Sequence, residues 1–282
     1  MHPDLRVIRR CNPPSQPLRS RHFYPWFGQL DRPIPLASRA EGCTFLPMAT
    51  ATQPTAANRP NDHYVSNRDE SVRMFRQEWL ERLSHVHPIV PHVLYVPLVA
   101  FLLWSAPTPV LLTAGLFLGG LTLWTLVEYF LHRHLFHAPD EVMQGTHDIV
   151  AALKPGEAVL PALPTWRHVV YFIMHGVHHE YPNDSSRLVM PPGASIPLAI
   201  LFYGVFRLTT GPALSPSLFA GFVSGYLTYD TVHYLVHHRT LPTAWGRYTK
   251  WRHQRHHFQD PDRDFGVSSP LWDLIMGTLT RR

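Results

Sequence analysis

Apolar residues are spread very unevenly along this 282-residue chain. Long apolar runs lie between residues 92 and 230, and the flanks are polar. Four stretches stand out, at about 89–106, 110–131, 194–210 and 213–229. A bilayer core of ~30 Å needs about 20 apolar residues in a helix. The second stretch meets that length comfortably; the others are marginal, and Pro97, Pro197 and Pro216 are expected to bend or break them. A short apolar run taken alone more often marks the buried helix of a soluble protein. Here the runs come in pairs joined by tight turns, Pro107–Pro109 and Gly211–Pro212, so the pattern predicts two helical hairpins.

Upstream, residues 67–86 read as a helix with apolar Val72, Phe75, Trp79, Leu80 and Leu83. Arg68, Arg73, Arg76 and Arg82 lie among them, as expected of a helix resting on a membrane surface. Residues 1–66 hold 10 prolines and no sustained apolar periodicity, and are expected to be a disordered Pro/Arg-rich tail. That tail shows no apolar segment of a secretory signal, and Met1 and Met48 both stand as candidate starts.

The net charge of +5 raises the question of a nucleic-acid surface, which its location answers. The tail contributes 8 Arg against 4 acids, whereas the remaining 216 residues hold 17 basic and 16 acidic groups. No nucleic-acid partner is expected. The two hairpin turns contain no Lys or Arg, while the segments before, between and after the hairpins carry nearly all of them. The positive-inside rule then puts both termini and residues 132–192 in the cytoplasm. With 23 Arg to 2 Lys, the composition leans toward a GC-rich bacterium and its plasma membrane; in a eukaryote the endoplasmic reticulum is expected.

Histidine is the anomaly, with 20 residues, as many as all the carboxylates together. Four clusters carry it: His132-Arg-His-Leu-Phe-His137, His175-Gly-Val-His178-His179, His233-Tyr-Leu-Val-His237-His238 and His253-Gln-Arg-His256-His257. On a helix, residues at i, i+3 and i+4 share a face. His175, His178 and His179 have that relation, as do His253, His256 and His257, and His233 and His237 are i, i+4. Three imidazoles so placed can hold one ion or bridge toward a second. His132 and His137 differ, because five residues turn an α-helix through about 500° and leave them ~140° apart. One of that pair is expected past the helix end, where Ala138-Pro139 supports a break.

A lone histidine is more often a surface or hydrogen-bonded residue. That plain role falls to His134, His147, His168, His238 and the six histidines before residue 93, with His134 and His238 near enough to support a ligand from outside. It does not cover three separate HxxH or HxxxH spacings, and so many imidazoles packed together without metal would repel once any was protonated. Ten histidines (His132, His137, His175, His178, His179, His233, His237, His253, His256 and His257) exceed the ligand shell of one ion and suit two. Cys11 and Cys43, the two cysteines, lie in the tail and offer no zinc-thiolate site. Glu180 follows His179 directly, so no HExxH motif forms. Imidazole suits iron, zinc, copper or nickel. Soluble di-iron oxygenases rely on carboxylates, and histidine has replaced nearly all of them here. Asp230, at i−3 from His233, can orient that imidazole. Glu128, within an apolar helix and four before His132, is expected to accept a hydrogen bond near the site or to pair with Arg133. Arg187 is expected at the membrane surface, with a lipid headgroup as its other partner.

At these residues the chain resembles the fatty acid hydroxylase superfamily, and within it the fatty-acid 2-hydroxylases. The HxxHH boxes are shared with sterol desaturases and methyl oxidases. The narrower likeness rests on Glu128-Tyr-Phe-Leu-His132-Arg with Leu-Phe-His137, on His175-Gly-Val-His-His179 continuing to Pro182 and Asp184, and on Arg187-Leu-Val-Met-Pro-Pro192. It continues through Tyr229-Asp-Thr-Val-His233 to Phe265-Gly-Val-Ser-Ser, Trp272-Asp and Gly277-Thr, and covers roughly residues 120–280. The resemblance implies an all-α integral membrane protein, with about four transmembrane helices in two hairpins and a cytosolic helical cap holding a dimetal histidine site. The hydroxylase domain would occupy 67–282. The ten histidines would ligate two metal ions, iron for activity, with His134 and His238 outside the ligand set.

The implied activity is that of a di-iron monooxygenase hydroxylating C-2 of a fatty acyl chain, free or in a sphingolipid or ceramide, with O2 and external electrons. A sterol oxidase or lipid desaturase is the rival within the superfamily, and a metal transporter the rival outside it. Transport would need polar groups along the spans, which offer almost none besides Glu128 and Asp230. Zinc binds nitrogen sites more tightly than ferrous iron, so purified protein is expected to carry zinc. Many eukaryotic members have an amino-terminal haem domain marked by His-Pro-Gly-Gly; here His87-Pro88 is followed by Ile-Val. With no dinucleotide fingerprint or iron–sulfur cysteine pattern either, electrons are expected from a separate donor protein. The acyl substrate is expected to enter from the bilayer.

Overall fold

A computed structural model describes residues 64–281. The tail expected over 1–66 lies outside them except for its last three residues. Those three belong to the folded body: the Val65 and Ser66 N–H groups donate to the Glu180 carbonyl at 3.0 and 3.1 Å, and Tyr64 sets its ring edge against Phe258. Among the described residues every regular element is helical.

The helix expected over 67–86 shrinks to α1, Glu78–Ser84. Residues 67–77 are irregular because side chains and a neighbouring segment take up their backbone groups. Glu81 accepts the N–H groups of Met74 and Phe75, both at 2.9 Å, and Arg187 donates to the Val72 carbonyl. The Arg73 and Met74 carbonyls receive Val159 and Leu160 N–H. Met74 is consequently buried with Val150, Val159, Phe172 and Val177 rather than laid on a membrane, while Trp79 and Leu83 face outward.

α2 (Val90–Trp104) and α3 (Val110–Leu131) follow the first two apolar stretches, and both lie chiefly against α7 (Pro192–His238). A straight helix of 47 residues would run about 70 Å. Instead Gly211, at φ 78° and ψ 173°, breaks α7 where the turn was expected. The halves fold back on each other, with Phe206 against Phe219 and the Phe202 and Phe222 ring centroids 4.9 Å apart. The contact between α3 and the second half of α7 is backbone on backbone. A Cβ on Gly120 would stand 2.0 Å from the Leu218 carbonyl oxygen, and one on Gly221 would stand 1.9 Å from that of Phe117. Small residues at such a crossing let two helix backbones approach closely. Val110–Phe136 and Pro192–His238 are long and apolar enough to cross a membrane. Only 11% of the most apolar window in each is buried, unlike the core helix of a soluble protein.

The remaining α-helices are α4 (Asp140–Ala152), α5 (Trp166–Tyr171), α6 (Val177–Glu180), α8 (Ala244–Phe258) and α9 (Leu271–Met276). Of two π-turns, His132–Phe136 extends α3 and Phe172–Gly176 joins α5 to α6.

Candidate metal centre

The first box begins where α3 gives way to its π-turn. The His137 N–H bonds to the His132 carbonyl at 3.2 Å, five residues back, and His137 itself is extended. An i→i+5 turn returns residue i+5 over residue i, so the two imidazoles stand 5.1 Å apart instead of on different helix faces. His137 does lie past the helix end, as its spacing suggested.

All ten histidines converge into two groups of five. His132, His137, His175, His179 and His256 form the first; His178, His233, His237, His253 and His257 form the second. Within a group the facing ring nitrogens all lie within 4.8 Å of one another. Both HxxHH boxes divide between the groups: the i, i+4 pair of each box goes to one group and the i+3 histidine to the other. His175 and His179 join the first while His178 joins the second; His253 and His257 join the second while His256 joins the first. The groups adjoin along His179 and His257, whose rings stack at 4.4 Å.

Nine of the ten side chains are buried, and His137 is half-buried. Burial, reinforced by neighbouring imidazoles, pushes His137, His175, His178, His253, His256 and His257 well below the usual histidine range. They are held neutral, the form that ligates. Two backbone carbonyls fix tautomers. His132 Nδ1 meets the Phe265 carbonyl at 2.5 Å and His256 Nδ1 that of Arg263 at 2.8 Å. A carbonyl only accepts, so both Nδ1 atoms carry the proton and both Nε2 atoms turn a lone pair into the first group. Among the described residues nothing accepts from Nδ1 of His137, His233, His237, His253 or His257.

The acidic candidates work at one remove. Among the described residues the Glu128 carboxylate makes no hydrogen bond to His132 or Arg133; it accepts the Ser268 N–H at 2.8 Å and the Ser268 hydroxyl. Arg133 donates to the Tyr129 hydroxyl instead. The expected Asp230–His233 bond is not made: Asp230 takes the Met190 N–H, and among the described residues its Oδ2 and His233 Nδ1 have no partner. Arg187 is not at a membrane surface but buried, bonded to Glu81, with Asp184 at 3.6 Å. His147 meets buried Glu180, next to His179, at 2.8 Å. His134 is exposed and stacks on Phe130, and His238 packs on Tyr234, both outside the two groups. Sequence reasoning missed the buried ion cluster of Arg252, Asp264 and Asp273. Its one signal was the stretch from Phe265 to Thr278 that carries part of the family resemblance.

The family model for fatty acid hydroxylases matches residues 117–278, the stretch that contains all ten histidines. The chain belongs to the fatty acid hydroxylase family. It is 30% identical over 213 residues to a dihydroceramide fatty acyl 2-hydroxylase of Arabidopsis thaliana, covering 74% of this chain and 81% of that protein. It is 32% identical to the fatty acid 2-hydroxylase of Rattus norvegicus, covering 74% of this chain and 56% of that one. A solved structure of full-length scs7p, with only the hydroxylase domain visible, superposes with a TM-score of 0.63 at 32% identity, covering 75% of this chain and 74% of that one.

The histidine groups are compatible with a metal site in this hydroxylase. Imidazole nitrogens bind at about 2.0–2.1 Å, so two ligands at right angles lie about 3.0 Å apart and two opposite ones about 4.2 Å. The facing Nε2 pairs measure 3.0 Å (His132–His175), 3.1 Å (His137–His256), 2.9 Å (His178–His233), 2.8 Å (His237–His253) and 3.1 Å (His253–His257). Converging lone pairs at that spacing suit a cation.

Proposed function

We propose that this fatty acid hydroxylase inserts a hydroxyl at C-2 of a fatty acyl chain, free or carried by a sphingolipid or ceramide. The observation that carries the reading is the pair of five-histidine groups at one end of the apolar helices. Each group would hold one metal ion, with iron supporting activity and zinc occupying the sites in purified protein. The ten histidines would hold iron that activates O2, the oxidant, so that one oxygen enters a C–H bond and the other leaves as water, with two electrons from a separate donor protein and two protons from solvent.

The chain's own part is to place the substrate and keep the ligands neutral. A narrow, almost wholly apolar cavity of about 50 Å³ lies between α2, α3 and both halves of α7, lined by Tyr95, Trp124, Met190, Phe222 and Tyr226 among others. Tyr226, Asp230, His233 and His237 follow at helical spacing along one face of α7, so the cavity leads toward the second group. An acyl chain entering from the bilayer would fill it and exclude water. We further propose four membrane spans in two hairpins, the 15-residue α2 being the shortest. The absence of Lys and Arg from both hairpin turns supports a cytoplasmic cap, in a bacterial plasma membrane or the endoplasmic reticulum of a eukaryote.

Lipid mass spectrometry of cells with and without the protein, in a host that supplies electrons, tests the reading. A gain of 2-hydroxyacyl lipids is expected. A new double bond without a hydroxyl would make the protein a desaturase, and no change in acyl lipids would overturn the proposal.

A further inference from the structure

The segment from Phe265 to Thr278 contributes no ligand to either histidine group, yet it is fastened from two sides by buried charge. Asp273 accepts the Phe265 N–H at 2.9 Å, the Gly266 N–H at 2.8 Å, the Thr278 hydroxyl at 2.8 Å and Arg252 Nη2 at 2.7 Å. Arg252 also donates to Asp264 at 3.1 Å and to the Gly266 carbonyl at 2.9 Å. All three charged side chains are at most 2% exposed. From the other side Glu128 of α3 holds the N–H and hydroxyl of Ser268. Gly266 is required between them, since a Cβ there would meet the Ser269 carbonyl oxygen at 2.1 Å. Charge-assisted bonds of this kind are about twice as strong as neutral ones, so the backbone at 263–268 has little freedom.

What that backbone presents is the pair of carbonyls, Phe265 and Arg263, that receive the Nδ1 protons of His132 and His256. Both histidines belong to the first group. In the second group, Nδ1 of four of the five histidines has no acceptor among the described residues. We propose that Glu128, Arg252, Asp264 and Asp273 are positioning residues which, through the Phe265 and Arg263 carbonyls, hold the first histidine group in its metal-binding orientation and leave the second group unaffected. The proposal rests on the metal-site reading above. It gives the Phe-Gly-Val-Ser-Ser and Trp-Asp motifs at the carboxy terminus a physical purpose.

The test uses the full-length protein with zinc as the probe, titrated against a competing chelator in two backgrounds. His233→Ala with His257→Ala leaves the first group intact; His137→Ala with His179→Ala leaves the second. Asp273→Asn is expected to weaken zinc binding by about 10–100-fold in the first background, the usual cost of losing a ligand's outer partner, and by less than about twofold in the second. Glu128→Ala should reproduce that split, and Glu128→Gln, which keeps an acceptor for the Ser268 N–H, should restore most of the affinity. If Asp273→Asn fails to fold by circular dichroism, the two Glu128 variants decide. Equal weakening in both backgrounds would mean general loosening and overturn the proposal, as would no weakening in the first. If neither background binds zinc before the further change is made, the metal-site reading itself fails.

Discussion

In the first histidine group, His132, His137 and His175 come from π-turns and a helix end, whereas in the second, His233, His237, His253 and His257 come from unbroken α-helix. The difference matters because an α-helix fixes where an i, i+4 pair stands through its backbone alone. A π-turn closed by few bonds does not. The first group is also where carbonyls have been set against the outer ring nitrogens, and the second manages without them for four of its five members. Bracing does not simply replace regular backbone, because His256 lies in α8 beside His253 and His257 and is still met by the Arg263 carbonyl.

The largest effects should come from His178→Ala and His179→Ala, neighbours in sequence that serve different groups. Each is expected to cut 2-hydroxylation at least roughly 100-fold, beyond the 10–100-fold typical of outer partners, and to lower bound metal from two ions to one. Metal analysis with lipid mass spectrometry reads both. Full loss of both ions in either variant would show the groups to be one cooperative unit. Next in size, inserting an alanine after exposed Leu135 lengthens the spacing to six residues, about 240° around an α-helix, and turns His137 away from His132. The ion of the first group should be lost while the second is kept.

A smaller effect concerns acid. Burial lowers His175 in the first group and His253 in the second from the ordinary value of 6.5. Below about pH 6.5 the unfolded chain binds protons that the folded one refuses, so stability present above that pH is lost as pH falls. Thermal melts of metal-free protein should stay level from about pH 7.5 to 6.5 and decline from there to about pH 5.5, and a profile flat throughout would mean the sites are hydrated. The smallest effect is expected from Asp230→Asn. Because Asp230 bonds to the Met190 N–H rather than to His233, second-group zinc affinity should change less than about twofold. A tenfold loss would restore the carboxylate–histidine pair.

Periodicity made much of this legible. α3 runs over the stretch the apolar pattern outlined, and the ten histidines singled out by spacing are the ten that converge. What spacing left open was the partition of each HxxHH box, because a helix face says nothing about which ion it meets. The Arg252 cluster and the Glu128–Ser268 bond were out of reach for another reason. Glu128 and Ser268 stand 140 residues apart, and such pairings leave no local pattern. Residues 67–77 misled in the opposite direction: their apolar spacing suits a helix, but Glu81 and Arg187 capture the backbone that would have formed it.

The crossing of α3 and α7 at Gly120 and Gly221 has a genetic consequence. A Cβ on Gly120 or Gly221 would stand 2.0 or 1.9 Å from the other helix's carbonyl oxygen, well inside the 3.0 Å that real Cβ atoms keep. Every missense change one base away from a glycine codon adds at least a Cβ, and relief would require two whole helices to separate together. Neither position has a stepping stone. In a saturation library selected for lipid hydroxylation, those two codons should return almost nothing but synonymous changes.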